Sequence, residues 1–259
     1  MRQIASLVLP ILVSFAAQGA SFSVAPIADA FVTTGSSGSL SGNNYGGAGA
    51  LTVAAPGLPQ GEAQSVLRFD LSAAASSFDG AFGAGQWSLQ SAVLQLMAAP
   101  ANNAIFNTPA AGSLAISWMQ SDAWIEGTGT PGSPGSSGIT ITSLQSTFIG
   151  PGDQSLGGFS WSGATSGAFT YSLALASGLV ADALAGGPLS LRLLAADSAM
   201  SGVFNSRSFA TAASRPSLTL VAVPEPGALG LFGFGLACLG ARQRAPRATR
   251  GKRGRRSPT

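Results

Sequence analysis

Two carboxylates and nearby tryptophans are the side chains of this chain best suited to act on a ligand. Asp122 and Glu126 flank Trp124 in the segment SDAWIEG, and Trp161 follows a glycine-rich stretch. Paired carboxylates can serve as general acid and general base in glycoside hydrolysis when a cleft holds them at the right separation. Tryptophan rings can instead present a flat apolar face to a sugar. We therefore predict ligand contacts at Asp122, Trp124, Glu126 and Trp161. The alternative is a structural role, with Trp124 packed at a corner of the fold and Trp161 closing one end of the sandwich.

The composition excludes most other catalytic chemistries. The sequence contains no histidine, so Ser-His-Asp triads, Cys-His pairs and histidine-ligated zinc or copper are impossible. Its one cysteine, Cys238, lies in an apolar segment near the C-terminus, so no internal disulfide can form. Calcium stays available because it binds carboxylate oxygens. The candidate ligands are Asp29, Asp70, Asp153 and Asp197. We otherwise expect no cofactor, no metal and no catalytic residue.

The basic residues are concentrated at the C-terminus. The whole chain has a formal net charge of +3, but residues 21–222 contain four basic and nine acidic side chains, a net charge of −5. Nucleic-acid binding needs clustered Lys and Arg side chains that neutralise phosphates. We therefore expect no nucleic-acid partner.

Alternating apolar and polar residues predict a set of β-strands that positions these side chains. The predicted strands are 29–34, 51–54, 67–71, 92–97, 114–118, 139–142, 169–175, 189–193 and 218–220. Alternation of this kind is typical of antiparallel sheets with one buried face. Trp118 continues the apolar face of its strand and is expected in the core. The pattern therefore predicts an all-β, antiparallel, jelly-roll-like β-sandwich over residues 21–221.

The segments between the strands are rich in Gly, Ser, Pro and Asn. They predict loops over residues 35–49, 127–138 and 150–158, and only residues 178–184 suggest a short helix. Arg68 and Asp70 point to the same side of one strand, so we expect them to form cross-strand pairs. The same expectation applies to Arg207 and Arg215.

The N-terminus has the features of a secretory signal peptide. Arg2 supplies one positive charge, residues 4–17 form an apolar stretch, and Ala17 and Gly19 are small residues suited to signal peptidase. We predict a signal peptide over residues 1–20 that signal peptidase removes. A retained N-terminal anchor is the alternative.

The C-terminal segment, residues 222–259, combines a proline motif, an apolar run and a basic end. Val223, Pro224, Glu225 and Pro226 precede an uncharged run at 228–241 that predicts an apolar helix, and eight basic residues follow from Arg242 onward. This order resembles the PEP-CTERM sorting signal of exported bacterial proteins. The resemblance implies processing by exosortase at the inner membrane and assigns the signal to Val223, Pro224, Glu225, Pro226, Arg242 and Arg244.

A plain membrane anchor is the alternative interpretation of this segment. Residues 227–241 would form a helix of roughly 22 Å at about 1.5 Å per residue. The hydrocarbon core of a bilayer is about 30 Å thick, which asks for around 20 apolar residues. A run this short favours a temporary stop in the membrane over a permanent anchor.

Short motifs in the body resemble the DNRLRE-type domain of exported proteins, which is related to carbohydrate-binding jelly rolls. The matching pieces are ADAFV at 28–32, NYG at 44–46, LRFDL at 67–71, SAVL at 91–94, WIEGT at 124–128, SR at 206–207 and RPSL at 215–218. The resemblance implies contact with exopolysaccharide. Tyr171 stands where that family often has a tryptophan, which weakens any ligand role for that turn.

These features together predict an exported, exosortase-sorted, non-catalytic protein associated with exopolysaccharide. Its expected location is the inner membrane during processing, and afterwards the cell surface or extracellular matrix of a Gram-negative bacterium. Two alternatives stay open, a secreted polysaccharide hydrolase or lyase and a membrane-anchored structural coat protein.

Overall fold

The computed structural model describes residues 18–225. Most of the predicted signal peptide and the whole predicted apolar helix at 228–241 lie outside the described residues. Within 18–225, no helix has the length and apolar character needed to cross a membrane.

Eleven β-strands dominate the described part of the chain. They are β1 Ala20–Val24, β2 Ala28–Thr33, β3 Ala50–Ala54, β4 Ala63–Asp70, β5 Trp87–Met97, β6 Ala111–Met119, β7 Gln154–Ser162, β8 Ala168–Leu173, β9 Pro188–Ala195, β10 Ser201–Asn205 and β11 Ser217–Pro224. The helices are α1 Ser72–Phe82, α2 Ile141–Ser143 and α3 Ser177–Ala185, with a π-helical turn at Leu144–Phe148 and a 3-10 turn at Ala212–Ser214.

The strands form two antiparallel sheets. The first sheet has the order β1-β11-β5-β8, so the last of the described strands lies inside the sheet and the first of them lies at its edge. The second sheet has the order β10-β3-β4-β9-β6-β7, and β2 also pairs with β4. This all-antiparallel architecture agrees with the predicted β-sandwich, and its jelly-roll character stays a prediction.

The main core lies between the two sheets. Leu94 and Leu220 from the first sheet belong to the same buried cluster as Leu67, Phe69 and Leu191 from the second. Each of these strands directs every second side chain into the core. The sequence therefore shows the strands as an alternation of apolar and polar residues.

A second apolar cluster covers the outer face of the second sheet. Ala30 of β2 and Val66 of β4 pack there against Trp124, Ile139 and Ile141 from the long connection between β6 and β7. This connection therefore acts as a cover on the sheet and fixes the position of the SDAWIEG segment.

Several local predictions were wrong. The predicted strand at 139–142 is an extended pair followed by α2, because Thr140 and Ser143 form a capping box that starts a helix. The predicted loop at 150–158 contains the first half of β7. Helix α1 was not predicted, and neither were β1 and β10. The helix predicted at 178–184 is confirmed as α3.

Candidate functional site

The proline motif begins inside the folded body, at the end of β11. Val223 pairs with Ser88 and Pro224 with Trp87 on β5, and the backbone N–H of Glu225 donates to Gln86 O at 2.9 Å. Pro224 has no backbone N–H, so it cannot extend the ladder in the regular way. Strand β11 therefore ends inside the proline motif, at Pro224, which is two residues beyond the predicted start of the C-terminal segment at 222. We call the contact of residues 223–225 with residues 86–88 the junction.

The start of the body lies beside the junction. Ala20, the first residue of β1, pairs with Ala222 of β11. The predicted signal peptide and the predicted sorting tail are therefore attached to neighbouring strands, at the same end of the first sheet.

The predicted ligand-binding tryptophans are buried. Trp124 is 1% exposed and its Nε1 donates to Ser190 Oγ at 2.9 Å, while the Arg68 guanidinium lies 4.9 Å from its ring centroid. Trp161 is 2% exposed and its Nε1 donates to Ser201 O at 2.8 Å. Neither ring offers the open face that stacking on a sugar requires. Trp118 is also buried, as expected, and its Nε1 donates to Asp182 Oδ2 at 2.6 Å.

Glu126 joins three distant parts of the chain. Its Oε1 accepts from Arg207 Nε at 2.7 Å and from the Asp29 backbone N–H at 3.1 Å, and its Oε2 accepts from Arg207 Nη2. Both carboxylate oxygens are thus bound to protein donors. This contact favours a structural role for Glu126 over proton transfer to a substrate.

The expected cross-strand pairs of the arginines were wrong. Arg68 Nη1 donates to Asp122 O at 2.6 Å and to Trp124 O at 2.8 Å, so it holds the SDAWIEG backbone on the sheet. Asp70 Oδ1 accepts from the Ser72 N–H at 2.9 Å at the start of α1. Arg207 pairs with Glu126, and Arg215 Nε donates to Phe209 O at 2.7 Å.

Asn44 also holds the connection between β6 and β7, through hydrogen bonds to its backbone. Its Nδ2 donates to Glu126 O at 2.7 Å and to Ile139 O at 2.8 Å. Its Oδ1 accepts from the N–H groups of Gly46 at 3.2 Å and Gly129 at 3.1 Å. The backbone of Gly46 comes so close to Glu126 O that no Cβ would fit there.

We refer to Asp29, Asn44, Arg68, Glu126 and Arg207 as the polar lock. All five belong to the short motifs that the sequence analysis singled out, and the fold brings them together from positions 29 to 207. Their side chains bond to one another, to backbone groups of the covering segment and, at Asn44, to the N–H of Gly46. The contacts of the polar lock therefore give these motifs a role in holding the fold together.

Burial raises the pKa values of the carboxylates near the lock. Desolvation raises the pKa of Asp29 to about 7, although the N–H of Arg207 donates to its Oδ2 at 2.6 Å. Burial also raises the pKa of Asp122 and that of Asp182, and the charge of Asp122 adds to the rise at Asp182. The Oδ1 atoms of Asp29 and Asp122 are buried without a hydrogen-bond partner.

The four predicted calcium ligands do not fit a common site. Asp29 is in the polar lock, and Asp70 caps the start of α1. Asp153 accepts from the N–H groups of Gln120 and Gly150, and Asp197 from those of Ala199 and Met200. Between residues 18 and 225 no three Asp, Glu, His or Cys side chains gather into a metal-binding group.

A groove opens at the other end of β5 from the junction. Its volume is about 460 Å³, and Met97, Asn102, Thr165, Asn205 and Phe209 are among its lining residues. Phe209 is 37% exposed. None of the lining side chains carries a charge, and they combine amides and hydroxyls with apolar surface. The groove could not be predicted from the sequence, because its residues come from six separate stretches of the chain without a shared pattern.

The protein has an all-β body, and in the sequence its strand β11 runs directly into a proline motif, an apolar run and a basic end. Residues 222–245 match the family model described as the PEP-CTERM protein-sorting motif. No curated protein sequence matches the chain. The motif supports an exported protein that exosortase processes, and it implies sorting to the cell surface in Gram-negative bacteria.

Proposed function

We propose that this chain is a non-catalytic surface or matrix protein, sorted by exosortase and associated with exopolysaccharide through the groove. The observation that carries the proposal is the match of residues 222–245 to the sorting motif. Signal peptidase and exosortase are its processing partners, and the inner membrane holds it only during processing. The mature jelly-roll-like body then stays at the cell surface or in the extracellular matrix.

The groove supports the polysaccharide part of the proposal. Sugar rings have apolar C–H faces and many hydroxyl groups, so they are bound by aromatic or aliphatic surface together with uncharged hydrogen-bonding groups. Phe209 and Met97 offer the first kind of group, and Asn102, Asn205 and Thr165 the second. The lack of charge in the lining favours a neutral glycan over an acidic one.

The contacts of the carboxylates support a non-catalytic role. Glycoside hydrolysis needs two carboxyl groups that face one substrate. Glu126 is bound to Arg207, and no acidic residue lines the groove. Burial raises the pKa of Asp122. This residue lies beside the buried Trp124, in the segment that covers the outer face of the second sheet, and it does not line the groove.

Cell fractionation tests the proposal. The full chain is expressed in an exosortase-positive bacterium and in its exosortase deletion, and an antiserum against the body detects it. We expect the protein in the surface and matrix fractions of the first strain and in the inner-membrane fraction of the second. The same membrane fraction in both strains would favour the anchored coat protein instead. Mature protein from the first strain is then sedimented with the purified exopolysaccharide of that strain, and a failure to co-sediment would overturn the glycan part.

A further inference from the structure

Asn205 differs from the other polar residues that line the groove because it is almost completely buried. It is the last residue of β10, pairs with Ala50 of β3 and is 4% exposed. Asn102 and Thr165, which line the same groove, are exposed. The amide of Asn205 is therefore the most deeply placed polar group of the lining.

One hydrogen bond fixes the orientation of the Asn205 amide. Its Nδ2 donates to Ser214 O at 3.0 Å. A carbonyl oxygen can only accept a hydrogen bond, so the nitrogen must face Ser214 and the amide oxygen must point away from it. Asn205 Oδ1 receives no hydrogen bond from residues 18–225, yet it is not one of the buried polar atoms without a partner. Since Asn205 lines the groove, this oxygen is accessible there as an acceptor.

The connection between β10 and β11, residues 206–216, contributes Phe209 to the groove and is held near both of its ends. The backbone N–H of Arg207 donates to Asp29 Oδ2 at 2.6 Å, which ties the start of the connection to the polar lock. Near its end, Arg215 Nε donates to Phe209 O at 2.7 Å. This side of the groove is therefore preorganised, and a ligand does not have to order it on binding.

An acceptor in this position determines which ligands fit. A ligand that fills the groove displaces water from Asn205 Oδ1, so it must supply a hydrogen-bond donor in exchange. A sugar hydroxyl is such a donor, whereas an acetylated or methylated sugar oxygen can only accept. A site that leaves a polar group unpaired when the donor is missing discriminates strongly against ligands that lack the donor.

We propose that Asn205 is the specificity-determining residue of the groove and that its Oδ1 accepts a hydrogen bond from an unsubstituted hydroxyl group of the bound glycan. This inference rests on the proposed function and adds the chemical group that the groove recognises. The ligand is then a neutral polysaccharide whose sugar units keep a free hydroxyl where they face the end of β10. O-Acetylation of that hydroxyl weakens binding.

Two forms of one polysaccharide test this inference. The purified exopolysaccharide of the exosortase-positive strain is compared with the same preparation after O-acetylation, and co-sedimentation with the mature wild-type protein measures both affinities. We expect the acetylated form to bind at least about 10-fold more weakly, because Asn205 Oδ1 is left without a donor. Equal affinities would overturn the inference alone. Failure of both forms to bind would overturn the glycan part of the proposed function and this inference with it.

Two substitutions separate contact with the ligand from support of the connection. At neutral pH, N205A and N205D both lose the bond to Ser214 O, but N205D keeps an acceptor oxygen in a side chain of the same size. We expect N205D to retain most of the preference for the unacetylated form and N205A to lose it. Loss of the preference in both variants would overturn the inference, because Asn205 would then act only through Ser214. A preference that survives in N205A would overturn it as well.

A third variant loosens the same connection without changing Asn205. R215Q removes the bond to Phe209 O, and Arg215 does not line the groove. We expect R215Q to keep the wild-type ratio of the two affinities, even if both affinities fall. Loss of the ratio in R215Q to the same extent as in N205A would show that the rigidity of the connection, rather than Asn205 Oδ1, decides the specificity.

Discussion

Trp87 and Met97 stand at opposite ends of strand β5. Trp87 pairs with Pro224 at the junction, and Met97 lines the groove. Ten residue steps of about 3.3 Å separate them, so the two features lie roughly 33 Å apart along the strand. In the proposed function the junction is the end of the body held at the membrane during processing, so the groove lies at the opposite end of β5.

Replacing Phe209 with alanine tests the groove. Phe209 provides the exposed ring among its lining residues, so F209A removes apolar contact with a bound sugar. We expect the apparent affinity for the purified exopolysaccharide to fall by about 3- to 10-fold, the effect of losing one aromatic contact. Leu184→Ala is the control, because Leu184 is 49% exposed on α3 outside the groove. Equal binding by the two variants would argue against the groove.

Replacing Arg207 with glutamine tests the ion pair of the polar lock. Arg207 bonds to both carboxylate oxygens of Glu126. The R207Q side chain lacks the positive charge and the planar guanidinium group that makes these two bonds. The free energy of unfolding should fall by about 1 kcal/mol, a value kept low because the Arg207 side chain is 38% exposed. Urea unfolding of the mature protein measures the loss. R215Q, which removes a single bond to Phe209 O, should cost about half as much or less. Equal losses would contradict the role of the pair.

Replacing Asn44 with alanine should be more damaging. Asn44 makes four hydrogen bonds in a buried position, and N44A leaves two carbonyl groups and two N–H groups without their partner. We expect the free energy of unfolding to fall by about 3–4 kcal/mol. The side chain of the neighbouring Asn43 makes one hydrogen bond, which it donates to Tyr45 Oη at 3.2 Å, so N43A serves as a matched control with a loss of about 1 kcal/mol or less. A small loss in N44A would mean that the covering segment is held by other contacts.

The raised pKa of Asp29 makes stability depend on pH. Burial raises this pKa from 3.8 to about 7, so between these values the folded state binds a proton that the unfolded state has released. The contribution of Asp29 to the free energy of unfolding is fully present below about pH 4, and it is lost as the pH rises through 7. Asp122 and Asp182 act in the same direction because burial raises their pKa values too.

The Asp29→Asn variant isolates this effect. We expect the wild-type protein to lose about 1–3 kcal/mol of unfolding free energy between pH 4 and pH 7 through Asp29, and D29N to lose less over that range. Asp70→Asn is the control, because hydrogen bonds from Ser72 lower the pKa of Asp70 and place its effect below pH 4. Denaturant unfolding at four pH values provides the slopes. Identical slopes in D29N and the wild type would show that Asp29 titrates normally.

The strands with regular alternation were predictable because one face of each is buried. β4, β6 and β9 place apolar side chains in the core at every second residue, and the sequence shows this directly. β7 escaped prediction because a bulge opposite Ile116 and Ser117 leaves Leu156 unpaired between Ser155 and Gly157 and breaks the register there. Gly157 has a φ of 138°, which glycine adopts readily, so a residue typical of loops here serves a strand.

Helix α1 and the polar lock were harder to predict, because both depend on tertiary contacts. α1 contains small and polar residues, and it is helical because Ala74, Ala75 and Phe78 pack against the core. Glu126 and Arg207 are 81 residues apart, and nothing local in the sequence indicates that they meet. The motif residues could be singled out, but their roles depend on tertiary contacts that only the fold supplies.

The match of residues 222–245 to the sorting motif leads to the central prediction, that this segment is a sorting signal. Its key positions are Val223, Pro224, Glu225 and Pro226, together with Arg242 and Arg244 outside the described residues. The most direct measurement is the intact mass of the protein from paired exosortase-positive and exosortase-deletion strains. We expect peptides containing Arg242 to Arg256 to be lost only in the positive strain. Retention of these peptides in both strains would contradict this prediction.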